Sequence, residues 1–112
     1  MNKDQQQAVE RSVTGFFQDL GCELLEYSEG RAVVGLTLTP RHMNNAGNLH
    51  GGVTASLLDI AMGLCGTWAP TAAERRVAIT LSMNVNFSAT AEVGTQVRAV
   101  ATCRSAGHKV FM

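Results

Sequence analysis

An aspartate, Asp59, lies inside the most apolar run of the chain, at the end of the stretch NLHGGVTASLLD. A carboxylate without a partner in such surroundings costs several kcal/mol, or it is forced neutral. Buried, perturbed carboxylates gather at active sites, where they act as general base or nucleophile. The plainer alternative is a structural aspartate bonded to a neighbouring loop or set at a subunit seam. Gly51 and Gly52 open the same apolar segment. At a helix start their N–H groups would lie unpaired at the positive end of the dipole. With no side chains, they also allow close approach by a ligand. Amides so placed suit the oxyanion of a carbonyl turning tetrahedral, although two glycines also simply permit a tight turn.

Spacing adds a constraint. Gly51 and Asp59 are eight residues apart, roughly 12 Å along one helix. A reacting carbonyl must lie about 3 Å from both its donor and its attacking group. One copy of the helix cannot meet both demands, so two catalytic residues here require two chains. Antiparallel helices packed along their small-residue stripes would form two such sites in a homodimer.

The elements that must hold these residues follow from periodicity. Val9, Val13, Phe16, Phe17 and Leu20 recur at helical spacing before Gly21, which predicts a helix over 4–20. Strands are predicted over 22–27 and 31–39, joined by a turn at 28–30, with Val34, Leu36 and Leu38 on one face and Pro40 as the stop. A loop over 40–50 leads into a helix over 51–68, which Pro70 ends. On that helix Val53, Leu57, Ile60, Ala61 and Leu64 form an apolar stripe. Ala55, Ser56, Asp59, Met62, Gly63 and Gly66 form a small-residue stripe opposite. Strict alternation over 77–87 predicts a long strand, with Thr80, Asn84 and Asn86 on its polar face. A further strand spans 95–104, a turn 105–107, and a last strand starts at His108. The fold class is α+β, an antiparallel sheet curled around one long central helix, within a single domain over 1–112.

The totals narrow the function classes. Nine basic residues balance nine acidic ones in 112, so no field draws the chain to nucleic acid or an anionic membrane. Apolar residues make up 46% and charged residues 16%, which suggests surface covered by another subunit. The polar N-terminus lacks the apolar core of a signal peptide, and a cytoplasmic location is expected. The run over 53–69 is short and interrupted, fitting a buried helix rather than a membrane span. Cys22, Cys65 and Cys103 are odd in number and show no metal or disulfide spacing with each other or with His42, His50 and His108. Reduced thiols and no metal are expected. Cys65 lies among apolar neighbours as an inert thiol, and no G-x-S-x-G elbow is present.

The pattern Asn-x-x-Gly-x-x-His-Gly-Gly, with Asp eight residues after the first of the paired glycines, resembles the hotdog-fold acyl-CoA thioesterases, in particular their phenylacetate-degradation (PaaI-like) branch. The resemblance runs from about residue 12 to the end. It implies a curved sheet around one helix, hydrolysis of an acyl-CoA thioester to acid and free coenzyme A, no cofactor, and an obligate homodimer or dimer of dimers. By the same resemblance, Asp59 matches the catalytic carboxylate, as nucleophile or as general base. Gly51 matches the oxyanion donor, Asn44 the amide that orients water or substrate, with Asn45 as its alternate, and His50 the histidine beside the oxyanion hole. Thr80 falls where a hydroxyl often lies near the carboxylate. Gly52, Met62, Asn84 and Phe87 are candidates for the acyl side of the site, with Met43. Arg104 and Lys109, with Ser105, Gly107 and His108, are candidates for coenzyme A contacts at a dimer edge, or else form a solvated hairpin. The chemistry suits these residues: a thioester is already activated, so a carboxylate and one good donor can suffice without a triad.

The family carries about one further strand beyond the point where this sequence stops, so the C-terminal strand is expected to be incomplete. Two rival functions remain open at this level. One is a non-catalytic acyl-CoA-binding protein. The other is a hotdog dehydratase or hydratase, which the absence of a proline-bearing motif around His50 disfavours.

Overall fold

The computed structural model describes residues 15–112. Most of the helix predicted over 4–20 lies outside them. Its end is α1, Phe16–Leu20, closed by Gly21 in the left-handed conformation at φ 89°, where a Cβ would be strained. Phe17 and Leu20 face inward.

Two strands follow, β1 (Glu23–Ser28) and β2 (Arg31–Thr37), which pair antiparallel across the predicted turn. The third, β3 (Gln96–Thr102), pairs antiparallel with β2 from Arg31↔Thr102 to Thr37↔Gln96. The sheet order is β1-β2-β3. Alternation puts Ala32, Val34 and Leu36 of β2 and Ala99 and Ala101 of β3 on the inner face, with Leu38 just beyond. The register of β1 breaks between Leu24 and Glu26. At that bulge the Leu25 side chain lies over Gly35, so close that a Cβ on Gly35 would stand 2.7 Å from it.

The inner face is covered by α2, Gly51–Gly66. Leu57, Ala61, Leu64 and Cys65 are buried against the strands, with Val53, Leu58 and Ile60 packed beside them. Val53, Leu57, Ile60, Ala61 and Leu64 are the predicted apolar stripe, which Leu58 and Cys65 widen. The helix ends two residues before Trp68 because its last carbonyls are taken early. Thr67 donates its hydroxyl to Gly63 O at 2.7 Å, and the buried Tyr27 donates to Leu64 O at 2.8 Å. Burial raises the Tyr27 pKa, which favours the protonated, donating phenol.

Two predicted strands differ. Residues 77–87 join no sheet among the described residues. Val77, Ile79 and Leu81 are 97%, 83% and 73% exposed. Their alternation is genuine, but alternation supplies no ladder: β2 is paired on both sides by β1 and β3, and the stretch pairs with neither outer edge of that sheet. The final strand is reduced to one bridge, Ala106↔Phe111, inside a tight turn closed by Gly107 N–H to Val110 O at 2.7 Å. Phe111 from that turn packs its ring on Gly66. Among the described residues no helix is long and apolar enough to cross a membrane.

Candidate active site

The start of α2 is built by a loop folded back on its own neck. Asn44 accepts from the Ala46 and Asn48 amides on its side-chain oxygen, at 2.9 and 3.0 Å. This is the usual way an asparagine closes a short turn. Its main-chain N–H donates to Asn48 O at 2.8 Å, and Met43 bridges Leu49. Gly47, at φ 80°, makes the reversal. Below the loop, His50 N–H donates to His42 O at 2.9 Å.

His50 is the N-cap of α2. Its Nδ1 accepts from Gly52 N–H at 2.8 Å, and its carbonyl receives Val53 N–H and Thr54 N–H at 3.0 and 3.2 Å. Of the two glycine amides expected to be open, Gly52's is therefore occupied. The Gly51 N–H alone among the first-turn donors has no partner among the described residues. It sits at the positive end of a 16-residue helix. The Phe87 ring lies against Gly51, 3.4 Å from where a Cβ would stand.

Eight residues on, Asp59 is half-buried, as expected. Thr80 donates its hydroxyl to Asp59 Oδ1. The segment carrying Thr80 and Phe87 thus passes both chemical positions of α2, although it belongs to no sheet. Met62, one turn beyond Asp59, is 40% exposed.

The structure therefore gathers Gly51, Gly52, His50 and Phe87 at one end of α2, and Asp59, Thr80 and Met62 near its middle. Asn44 stands beside the first group with its oxygen committed to the loop, which leaves its NH₂ outward. Asn45 and Asn84 are exposed. Arg104 and Lys109 lie in the C-terminal turn, which Phe111 ties to Gly66. Gly66 is fifteen residues from Gly51, roughly 22 Å along the axis, so one chain does not bring these cations to its own Gly51.

Two bracing residues escaped the sequence reading. Thr90 accepts from Leu49 N–H at 3.1 Å. His42 is 2% exposed and forms a capping box with Thr39 over the 3₁₀ turn Pro40–His42. The Thr-x-x-His spacing at 39–42 was the available signal, because capping boxes place a side-chain acceptor three residues after a Ser or Thr.

A family model of the thioesterase superfamily matches residues 46–112, from the loop through α2 to the end. The chain belongs to that superfamily. Among solved structures, the conserved protein PA5202 from Pseudomonas aeruginosa is similar at 28% identity and TM-score 0.79, over 88% of this chain and 77% of its own. A mutant of the phenylacetic acid degradation protein PaaI from Thermus thermophilus is similar at 27% identity and TM-score 0.73, over 83% and 76%. The E. coli PaaI protein shares the fold, at 24% identity and TM-score 0.79, over 93% and 72%. A comparison with curated protein sequences gives no match. This thioesterase is PaaI-like and has the hotdog fold, an open antiparallel sheet packed on a long central helix with a short helix before it.

Proposed function

We propose that this thioesterase hydrolyses acyl-CoA, with Asp59 of one copy working against the Gly51 amide of a second. The observation that carries the reading is the Gly51 amide, the one first-turn donor of α2 with no partner among the described residues. His42 and His50 occupy its neighbours, so one donor remains at the positive end of the dipole for a carbonyl oxygen. The neutral His50 ring, accepting at Nδ1, carries its proton on Nε2 and can offer a second donor nearby.

In this reading the thioester carbonyl lies on Gly51 N–H. The Asp59 carboxylate either takes a proton from water as that water attacks, or attacks the carbonyl itself. The tetrahedral oxyanion is held by the amide. It collapses with cleavage of the C–S bond, and the thiolate leaves and takes up the proton. If the carboxylate attacked directly, the thiolate leaves unprotonated, and the water that then opens the acyl–aspartate anhydride supplies the proton it takes up. Thr80 positions the carboxylate by donating to one oxygen, which leaves the other free to react.

The separation of about 12 Å between Gly51 and Asp59 on one helix calls for a homodimer, or a dimer of dimers. If the helices run antiparallel with Asp59 facing the partner's Gly51, the Gly66 end of one lies beside the partner's loop. The turn bearing Arg104 and Lys109 then comes within range of the coenzyme A phosphates. The apolar residues of 77–87 that face solvent in one chain are surface that such an assembly would cover.

The test is thiol release from aromatic and medium-chain acyl-CoAs by the wild type and by Asp59→Asn. Turnover by the wild type, with loss of about 10²-fold or more in kcat for the variant at near-native substrate binding, is the expected outcome. Binding by both proteins with thiol release by neither would instead make this a carrier or sensor of acyl-CoA.

A further inference from the structure

The geometry points to His42 as a positioning residue that fixes His50 and, through it, the Gly51 amide. The kinetic part of this inference rests on the thioesterase reading above; the structural part does not.

The imidazole of His42 is buried between two elements outside the site. Its Nδ1 lies 2.9 Å from Thr39 N and 3.2 Å from Thr39 Oγ1, and its Nε2 lies 2.7 Å from Leu20 O. An amide can only donate and a carbonyl can only accept. Nδ1 is therefore the acceptor and Nε2 carries the proton, which defines a neutral ring in one tautomer. The side chain is thus fixed to the end of α1 and to the residue that caps the 3₁₀ turn.

The main chain of the same residue reaches the site. Its carbonyl receives His50 N–H, so the N-cap hangs one hydrogen bond from His42. The tip of the loop, residues 44–48, is exposed, which leaves the neck to hold the position. The same His50 then takes Gly52 N–H on its ring and two further amides on its carbonyl. Every bond that leaves Gly51 N–H as the open donor passes through His50, and His50 is held by His42. An apolar residue at 42 would leave the buried Leu20 carbonyl and the part-buried Thr39 N–H without their partner. The neck would shift to satisfy them and would move the cap with it.

The test compares wild type with His42→Leu, His42→Asn and His42→Gln in the full chain. Asn keeps an acceptor where Nδ1 sits; Gln keeps a donor that reaches toward Leu20 O. Three readouts are needed: the ring ¹⁵N shifts of His50, kcat and KM for acyl-CoA hydrolysis, and thermal unfolding. His42→Leu is expected to move the His50 Nδ1 resonance away from its hydrogen-bonded value. It should also lower kcat about tenfold with KM within about twofold, as misplacement of a catalytic donor does. His42→Asn should keep the His50 spectrum and most of kcat. A His42→Leu protein that unfolds at lower temperature with a native His50 spectrum and native kcat overturns the proposal, because His42 would then only stabilise the fold. Should His42→Leu fail to fold, His42→Gln decides: it lacks the acceptor for Thr39 and is expected to perturb His50, and a native spectrum in it overturns the proposal equally. If the wild type releases no thiol, the His50 spectra still judge the positioning while the activity reading falls separately.

Discussion

Thr80 donates its hydroxyl to the Asp59 carboxylate across 21 residues of sequence, from a segment that joins no sheet among the described residues to the middle of α2. A hydrogen bond to a charged acceptor is worth about 1.5–3 kcal/mol, enough to hold one carboxylate orientation against the alternatives. Thr80→Val removes the hydroxyl at nearly constant volume and is expected to lower kcat roughly tenfold. Thr80→Ser should retain most activity. Steady-state thiol release over a range of acyl-CoA concentrations checks both, since a loss in KM instead of kcat would mean that Thr80 serves binding.

A site divided between chains makes a strong prediction about mixtures. Gly51→Pro removes the donor at the first helical position, where proline is well tolerated. Asp59→Asn removes the carboxylate. Each variant alone should be nearly inactive. Co-refolded in equal amounts, they should regain activity, because each mixed dimer carries one site with both defects and one with neither. A mixture that stays as inactive as its components would mean that Gly51 and Asp59 do not share a site.

His50 stabilises as well as positions. Its ring takes the Gly52 amide at 2.8 Å, the service that a good N-cap performs for about 1 kcal/mol. His50→Ala should lose roughly that amount in urea unfolding, while His50→Asn should keep it. Activity should separate the two roles, since Asn caps the helix but offers no ring N–H to a substrate.

The thiol of Cys22 is pushed by burial from an ordinary 9.0 up to about 11. Folding therefore favours the protonated thiol. The contribution is complete below pH 9, where both states are protonated. It is lost as pH rises from 9 to 11, because the unfolded chain gives up the proton first. Cys65 and Tyr27 are shifted in the same direction by burial. Stability should thus fall with pH on the alkaline side, and Cys22→Ala should flatten that slope without removing it. Chemical denaturation at several pH values between 8 and 11 gives the comparison.

Gly66 and Phe111 are in direct contact, and a Cβ on Gly66 would run into the ring. Alanine within a helix is ordinarily better than glycine by about 0.5–1 kcal/mol. Here Gly66→Ala should destabilise by about 1–3 kcal/mol. In a Phe111→Ala background the sign should reverse, since the ring is gone and only the helix preference remains. Thermal unfolding of the four proteins forms a complete double-mutant cycle.

Much of this architecture was legible in the residues. Period-two alternation put Val34, Leu36 and Leu38 on the correct face, and period-3.6 spacing put Leu57, Ala61 and Leu64 on the core side of α2. The half-burial of Asp59 followed from the lack of any polar face on its helix. What was hidden depended on partners distant in sequence. The strict alternation of 77–87 announces a strand, yet a strand exists only with a neighbour, and this stretch pairs with none of the described strands. The early stop of α2 depended on Tyr27, 37 residues away from Leu64. In the site, composition showed two glycine amides, but only the His50 ring geometry showed that one was already taken. His42 read as a spare histidine because the carbonyl that anchors its Nε2, Leu20 O, lies 22 residues away.

The notch at Gly35 has a reach well beyond its own size. Leu25 rests where that glycine has no side chain, at a distance a Cβ could not share. If β1 slid by one residue against β2, Leu25 would meet Val34 or Leu36, both of which point into the core. The slip would also turn Leu24 and Tyr27 outward. The observed alignment alone keeps both the Leu25 contact and the core face of β1, so the bulge acts as an assembly key. The sheet on which α2 rests is thereby indexed by a missing methyl group on its opposite face, and a side chain at Gly35 would press on the seam of β1 and β2, far from the chemistry.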